Sequence, residues 1–332
     1  MTSMNITIKD IARVAGVSYS TVSKALNDSP LVKPDTKTKI MKIAKELGYK
    51  PNFAAQSLVS KQTKVIGLIW PTLERIAPST LVTRINEEIK SNSYSMILSI
   101  DCIEDSLELF KRYQVDGVLV FDEHNHSILD TVSIPIVTYG VGRNKKHTVI
   151  DVSYQRAMKM SVEYLYNLGH RNIAYLGDFS PIDDRQLEKY YGIKKAMNSL
   201  NLPITNENLV NTAGLNWYDG YLATKRLLNS PNRPTAIIGS SYDISAGIVR
   251  ALREANLIIP KDISVMSYDN ISQMGNLEIP LTSIGVPVDE IACNMVETLI
   301  TQIKTKDTTP ILKQLNPRIN ERVSCAQAGI LL

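Results

Sequence analysis

TIKDIARVAGVSYSTVSKALN, residues 7–27, reads as two short helices joined by a tight turn. Ile8, Ile11, Ala12 and Ala15 fall at i, i+3, i+4 and i+7, which is one apolar helix face. Thr7 followed by Asp10 is a capping-box-like start, with Asp in place of the usual Glu. Gly16 supplies the turn, because glycine accepts a positive φ without steric cost. Ser18 caps a second helix whose apolar face is Val22, Ala25 and Leu26. Its other face presents Tyr19, Ser20, Thr21, Ser23 and Lys24 near the N-terminal end. That end is where a helix-turn-helix reads base edges in the major groove. A plain helical hairpin with a polar outer face fits the same spacing, so charge has to separate the two.

Residues 1–64 hold 11 Lys+Arg and 4 Asp+Glu, a balance of +7, within a chain of 37 against 33. The remainder is slightly acidic. A basic head on an acidic body is the electrostatic footprint of a phosphate-binding module. A cationic membrane-surface segment would need a broad apolar face with aromatics, whereas these faces are narrow and suit a small three-helix core. The third helix is expected from Asp35 to about Leu47, with Ile40, Ile43, Ala44 and Leu47 inward and Gly48 at the C-terminal cap. Lys37, Lys39, Lys42 and Lys45 lie on its outer face, where the distal lysines read as solvated surface.

At 332 residues the chain exceeds one compact domain of ordinary size. Beyond Lys64, short apolar runs alternate with amphipathic stretches. VIGLIW (65–70), SMILSI (95–100), GVLVF (117–121) and PIVTYG (135–140) read as one set of buried strands. IAYLG (173–177), AIIGS (236–240) and ISVMSY (263–268) form a second set. Helical patterns fall at 81–90, 156–168, 185–200, 218–229 and 245–256. Such alternation predicts parallel, doubly wound sheets in two lobes. Neither a secretory signal nor a run as long as a membrane span is legible. Cys102, Cys293 and Cys325 are odd in number and scattered, as in reduced cytosolic proteins. A cytoplasmic protein without a membrane partner is expected.

These segments together resemble the LacI/GalR family of bacterial transcription repressors. The likeness rests on residues 7–27, LGYKPNFAAQSLVSKQT (47–63), KVIGLIW (64–70), VDGVLVF (115–121), LGHRNIAYLGD (168–178), ISVMSYDN (263–270) and IPLTSIGVP (279–287), in the family's order. It implies a helix-turn-helix domain at 1–51, all α, and a hinge helix or linker at 52–63. A two-lobed periplasmic-binding-protein-like α/β core follows at 64–332. The first lobe would hold about 64–166 and 288–310, the second about 167–285 and 311–332, with the chain crossing near 166–171, 284–288 and 308–313. The partners implied are double-stranded operator DNA, a second copy of the chain and a small sugar effector, with no cofactor and no metal.

The resemblance also implies roles. Thr7, Ser18, Tyr19, Ser20, Thr21, Ser23, Lys24 and Asn27 would meet DNA through the helix-turn-helix, and Asn52, Ala55, Gln56 and Leu58 through the hinge. Tyr19 and Ser20 occupy the positions the family uses most for operator discrimination. Lys24 stands where Arg is usual, and a point charge cannot offer a guanidinium fork to guanine. Leu58 matches the leucine wedged into the minor groove at the operator centre. Partly unstacking a base step costs a few kcal/mol, offset by the added surface that bent DNA meets.

In the core, Asp269 matches the family's effector-binding aspartate at a strand's carboxyl end, where ligands of parallel sheets bind; the alternative is a turn or capping role. The family's cleft arginine aligns with Lys189, and Arg185 lies one turn earlier on the same face. Of the two, Arg185 is favoured for its planar fork. Asp151 sits close to a cleft-facing aspartate of the family, and Ser241 stands where Asn is common. Trp217 reads as a stacking platform or a rim residue, Trp70 as cleft lining or buried packing. The short insert DCIEDSLELFKRYQ (101–114) and the Asp183-x-Arg185 pattern resemble the galactoside and lactose repressor branch, hinting at a galactoside.

Enzyme signatures are missing: His124, His126, His147 and His170 form no HExxH pair, and there is no G-x-S-x-G, P-loop or G-x-G-x-x-G. A repressor of sugar-utilisation genes, released by its effector, is expected. The alternatives are corepression, a phosphoprotein-dependent catabolite regulator, or a sugar-binding module without DNA function. Leu58→Ala is expected to weaken specific operator binding strongly while sparing salt-sensitive binding to random DNA, because phosphate contacts are sequence-blind. Gel shifts on both DNAs measure this, and equal losses would contradict the wedge.

Overall fold

A computed structural model describes residues 6–26, 28–49, 62–121, 127–142, 146–181 and 183–329. The chain divides into two compact units, Met1–Thr63 and Lys64–Leu332.

The first unit has helices α1 (Ile8–Ala15), α2 (Tyr19–Leu26) and α3 (Pro34–Glu46). Ile11, Ala15, Val22, Ala25, Ile40 and Ala44 are its buried core, matching the inward faces read from the sequence. The backbone N–H and the hydroxyl of Thr7 both donate to the Asp10 carboxylate, at 3.0 and 2.7 Å. These hydrogen bonds hold the Asp10 carboxyl below its ordinary value. Gly16 ends α1 at φ 69°, the left-handed conformation the turn requires. Ser18 Oγ accepts from the N–H of Thr21 at 3.1 Å, so the second cap is also as expected. Lys39 reaches back from α3 and donates to the carbonyl of Ala15 at 3.1 Å, satisfying a terminal acceptor of α1.

The second unit contains two six-stranded sheets. Its elements in order are β1 (Val65–Ile69), α4 (Ile76–Ser91), β2 (Ser95–Ser99), α5 (Ile103–Tyr113), β3 (Gly117–Phe121), β4 (Ile136–Tyr139), β5 (Thr148–Val152) and α6 (Tyr154–Asn167). There follow β6 (Ile173–Gly177), α7 (Asp184–Ser199), β7 (Leu209–Asn211), α8 (Trp217–Leu228), β8 (Ala236–Gly239), α9 (Tyr242–Glu254) and β9 (Ser264–Asn270). The chain continues through β10 (Thr282–Pro287), α10 (Val288–Thr305), β11 (Leu312–Leu315) and β12 (Arg318–Asn320). Sheet order is β11-β5-β4-β3-β1-β2 in the first lobe and β12-β10-β9-β8-β6-β7 in the second. All pairings are parallel except β12 against β10. Helices flank both faces, so the strands are buried on both sides and read as continuous apolar runs.

Two of the expected lobe boundaries move. The first crossing falls at Ser153, not at 166–171, because α6 packs with α7 of the second lobe. Gly192 of α7 makes that approach possible: a Cβ there would lie 2.8 Å from Gln155 Cα and 3.1 Å from Met158 Cβ. The third crossing falls between Leu315 and Arg318, not at 308–313. Residues 312–315, expected in the second lobe, instead pair with β5 as the edge of the first sheet, Leu312 opposite Val149 and Leu315 opposite Val152. The middle crossing runs from β10 into α10.

His170, in the LGH segment, is a clasp. Its Nδ1 lies 2.9 Å from Thr235 Oγ1, and its Nε2 lies 3.1 Å from Ser264 Oγ and 3.0 Å from the carbonyl of Ala326. Burial pushes its pKa down. The α6–α7 contact gives a direct check on the corrected boundary. Gly192→Ala forces backbone of the two helices apart and is expected to cost about 1–3 kcal/mol. Denaturant midpoints measure this, and an unchanged midpoint would contradict the close approach.

Candidate effector cleft and DNA-reading face

The carboxyl ends of both sheets in the second unit border one cleft of about 560 Å³, counted with its opening to solvent. The first lobe contributes Arg75, Ala77 and Leu81 at the start of α4, Phe121 and Tyr139 at the ends of β3 and β4, and Val288 and Ile291 of α10. The second contributes Tyr154, then Arg185, Gln186 and Lys189 from the first turns of α7, and Tyr268, Asp269, Asn270 and Gly285.

Asp269 ends β9 with φ at +88°, a conformation rare for a side chain with a Cβ. Its Oδ2 accepts from the N–H of Tyr242 at 2.9 Å. The carboxylate caps α9 and also lines the cleft. Lys189 is buried. Its ammonium donates to the carbonyl of Ser240 at 2.9 Å and stands 3.8 Å from the centre of the Tyr268 ring. Burial lowers its pKa from the ordinary 10.5 to about 7, against the opposing pull of Asp269 and Asp183.

Arg185 is positioned by Asp183, the N-cap of α7. Arg185 Nε and Nη2 donate to Asp183 Oδ1 and Oδ2, each at 3.1 Å, while the backbone N–H groups of Arg185 and Gln186 also donate to that carboxylate. Burial alone would raise the Asp183 carboxyl, but Arg185 and Lys189 hold it below its ordinary value. The guanidinium lies 3.7 Å from the centre of the Phe121 ring, across the lobes. Arg185 and Lys189 both line the cleft.

The remaining expected residues stand elsewhere. Asp151 is buried on β5, beside Gln314 of β11, and its charge acts on Tyr139 and Tyr268. Ser241 is the N-cap of α9, its Oγ accepting from the N–H of Ile244 at 3.3 Å. Trp70 is fully buried with its ring 4.3 Å from Phe121, so it backs the cleft wall without lining it. Trp217 is 53% exposed at the start of α8, against Tyr218 and Tyr221, away from the cleft lining.

Sequence reasoning did not single out Arg75, Phe121, Tyr139, Tyr154, Gln186, Tyr268 or Asn270. Phe121 and Tyr139 carried a signal, as the last residues of predicted strands, and Tyr268 directly precedes Asp269. Arg75 carried none. Tyr154 Oη donates to Tyr139 Oη at 3.4 Å, and burial pushes the Tyr139 hydroxyl up to about 12. Asp243 of α9 is held against the N–H of Ile76 at the start of α4. Burial first, then Asp269, raises its pKa to about 6. With Gln273 Nε2 donating to Thr80 Oγ1 at 3.1 Å, it ties the second lobe to the first.

In the first unit, Tyr19, Ser20 and Lys24 are exposed on one side of α2, with Thr21 and Ser23 half-buried beside them. Thr7 and Ser18 are exposed at the two helix starts. Asn27, Asn52, Ala55, Gln56 and Leu58 lie outside the described residues. Among the described residues, no group of three or more His, Cys, Asp or Glu could hold a metal ion, and no helix is long and apolar enough to cross a membrane.

Residues 7–52 match the family model for bacterial regulatory proteins of the lacI family, and residues 162–325 match a periplasmic binding protein-like domain. The HTH-type transcriptional repressor PurR of Pasteurella multocida is 30% identical over 96% of this chain and 98% of its own. The chain belongs to the LacI family. Catabolite control protein A of Priestia megaterium is 29% identical over 97% of this chain and 99% of its own. The fold matches a lac repressor dimer bound to operator and the anti-inducer ONPF, with TM-score 0.84 at 24% identity, covering 97% of this chain and 100% of that one. The protein is thus a DNA-binding transcriptional regulator and not an enzyme.

The buried ammonium sets a pH signature. Because its pKa is depressed in the fold, Lys189 costs stability as pH falls from 10.5 towards about 7. Lys189→Met removes that cost. The thermal midpoint of the variant, relative to the unsubstituted protein, is expected to rise as pH is lowered through this window and to level off below it. A difference that stays flat would contradict the burial of an ionisable amine.

Proposed function

We propose that this protein represses sugar-utilisation genes by binding a palindromic operator as a homodimer, and that a small sugar in the cleft releases it. The observation that carries the effector reading is the convergence of Asp269, Arg185 and Lys189 on one cleft walled by Phe121, Tyr139, Tyr154 and Tyr268. Carboxylate and cations together accept from and donate to hydroxyls, and aromatic faces stack on the apolar face of a sugar ring. A galactoside is the narrower reading, supported by the Asp183–Arg185 pair.

The operator reading rests on the basic first unit and on the exposed Tyr19, Ser20 and Lys24 of α2. A single helix-turn-helix makes few base contacts, so two half-sites are needed for specificity. Trp217, Tyr218 and Leu222 form an exposed apolar strip on α8 that suits a second copy of the chain. The structural match to a lac repressor dimer on its operator supports the same assembly. The linker 52–63 leads from the helix-turn-helix into β1. A ligand that favours one orientation of the lobes would change how two linkers approach each other, and reciprocity requires DNA to weaken ligand binding by the same factor. This assembly would work in the cytoplasm. Likeness to catabolite control protein A supports a second reading, catabolite regulation through a corepressor.

Asp269→Asn keeps the shape at this position and removes the charge and one acceptor. The variant is expected to bind its operator as the unsubstituted protein does while losing at least about tenfold in response to the sugar. Gel shifts with DNA from upstream of the protein's own gene, with and without sugar, measure both. Loss of DNA binding in a folded variant, or an unchanged response, would contradict the assignment.

A further inference from the structure

Cations outnumber carboxylates among the residues that line the cleft. Arg75, Arg185 and Lys189 line it with a single carboxylate, Asp269, which already accepts from the N–H of Tyr242. The neighbouring acids are committed elsewhere. Asp183 accepts from Arg185 and from two backbone N–H groups of α7. Asp243 lies behind the lining, where the charge of Arg75 and the N–H of Ile76 act on it, and Asp151 also lies behind it. Arg75 Nε is buried without a hydrogen-bond partner among the described residues. Lys189 has three protons to give, and one carbonyl and the face of Tyr268 receive it.

A neutral sugar would leave the Arg75 Nε and the remaining protons of Lys189 without an anionic acceptor inside an aromatic wall, where charge interactions are strong. We infer that the ligand carries an oxyanion on a polyhydroxylated ring, either the carboxylate of a sugar acid or the phosphoryl group of a sugar phosphate. The inference rests on the cleft being a sugar site. Lys189 and Arg75 receive the oxyanion through charge-assisted hydrogen bonds, and Asp269 takes ring hydroxyls. Arg185, fixed by Asp183, holds the edge between them.

Calorimetry on the full chain tests this with matched sets: galactose, galacturonate and galactose 6-phosphate, then glucose, glucuronate and glucose 6-phosphate, with inorganic phosphate alone as a further probe. At least one oxyanionic sugar is expected to bind on the order of tenfold tighter than its neutral parent. Whether the carboxylate or the phosphate arm does so identifies the group. Arg75→Gln, at a half-buried position, is expected to erase most of that preference. A neutral sugar binding as tightly as its oxyanionic partners would overturn the inference and leave the sugar reading standing. Inorganic phosphate binding as tightly as any sugar phosphate would also overturn it. Silence across the whole panel would overturn both.

Discussion

Three crossings of one chain, at Ser153, at the start of α10 and between Leu315 and Arg318, hold two parallel sheets so that their carboxyl ends meet. Every other feature of the effector unit follows from this constraint. Parallel strands must be buried on both faces, so helices cover the sheets and only the strand ends remain open. Two such ends brought together make a cleft whose walls come from different lobes. Phe121 and Tyr139 are supplied by one sheet, Tyr268 and Asp269 by the other. A change in the angle between lobes therefore changes the cleft, and a ligand that bridges it biases the angle.

Burial works against the charge of two groups at or near the cleft. Lys189 is drawn towards neutrality by burial, and Asp243 is drawn the same way from the opposite sign. Groups that are so placed respond to an incoming charge more than a solvated ion pair would, because little water screens them. The contact of Asp243 with the first turn of α4 puts one of these groups at the seam between the lobes.

Much of this was legible in the sequence. The helix-turn-helix announced itself through the 3.6-residue period, the Thr7–Asp10 start and Gly16, because local interactions decide each of those features. Most of the buried strands were equally plain, although the fully buried β5 and the six-residue β10 were not among those read as strands. The short edge strands β7, β11 and β12 were not, since three or four mixed polar residues at a sheet margin show no period. The crossing points escaped for a related reason. Nothing local marks Ser153 as a boundary; the decision is made by Gly192, far along the chain, which lets α6 settle on α7. In the cleft, Asp269, Lys189 and Arg185 were identified from the sequence, whereas Arg75 was not, because a half-buried arginine before a helix resembles any other. The two tryptophans show the limit of residue type as a guide. One became core behind Phe121 and the other surface on α8, and only tertiary packing separates those fates.

The backbone at Asp269 bears on how a protein of this kind diverges. At φ +88° few side chains are tolerated beyond Asn, Asp and Gly, so duplicated copies of the gene would explore little variety there. Arg75 sits under no such restriction: its own φ is −94°, it is half-buried, and its side chain caps nothing. Drift towards new ligands would therefore begin on the α4 side of the cleft, with the aspartate retained as a fixed anchor while the opposite rim is rewritten.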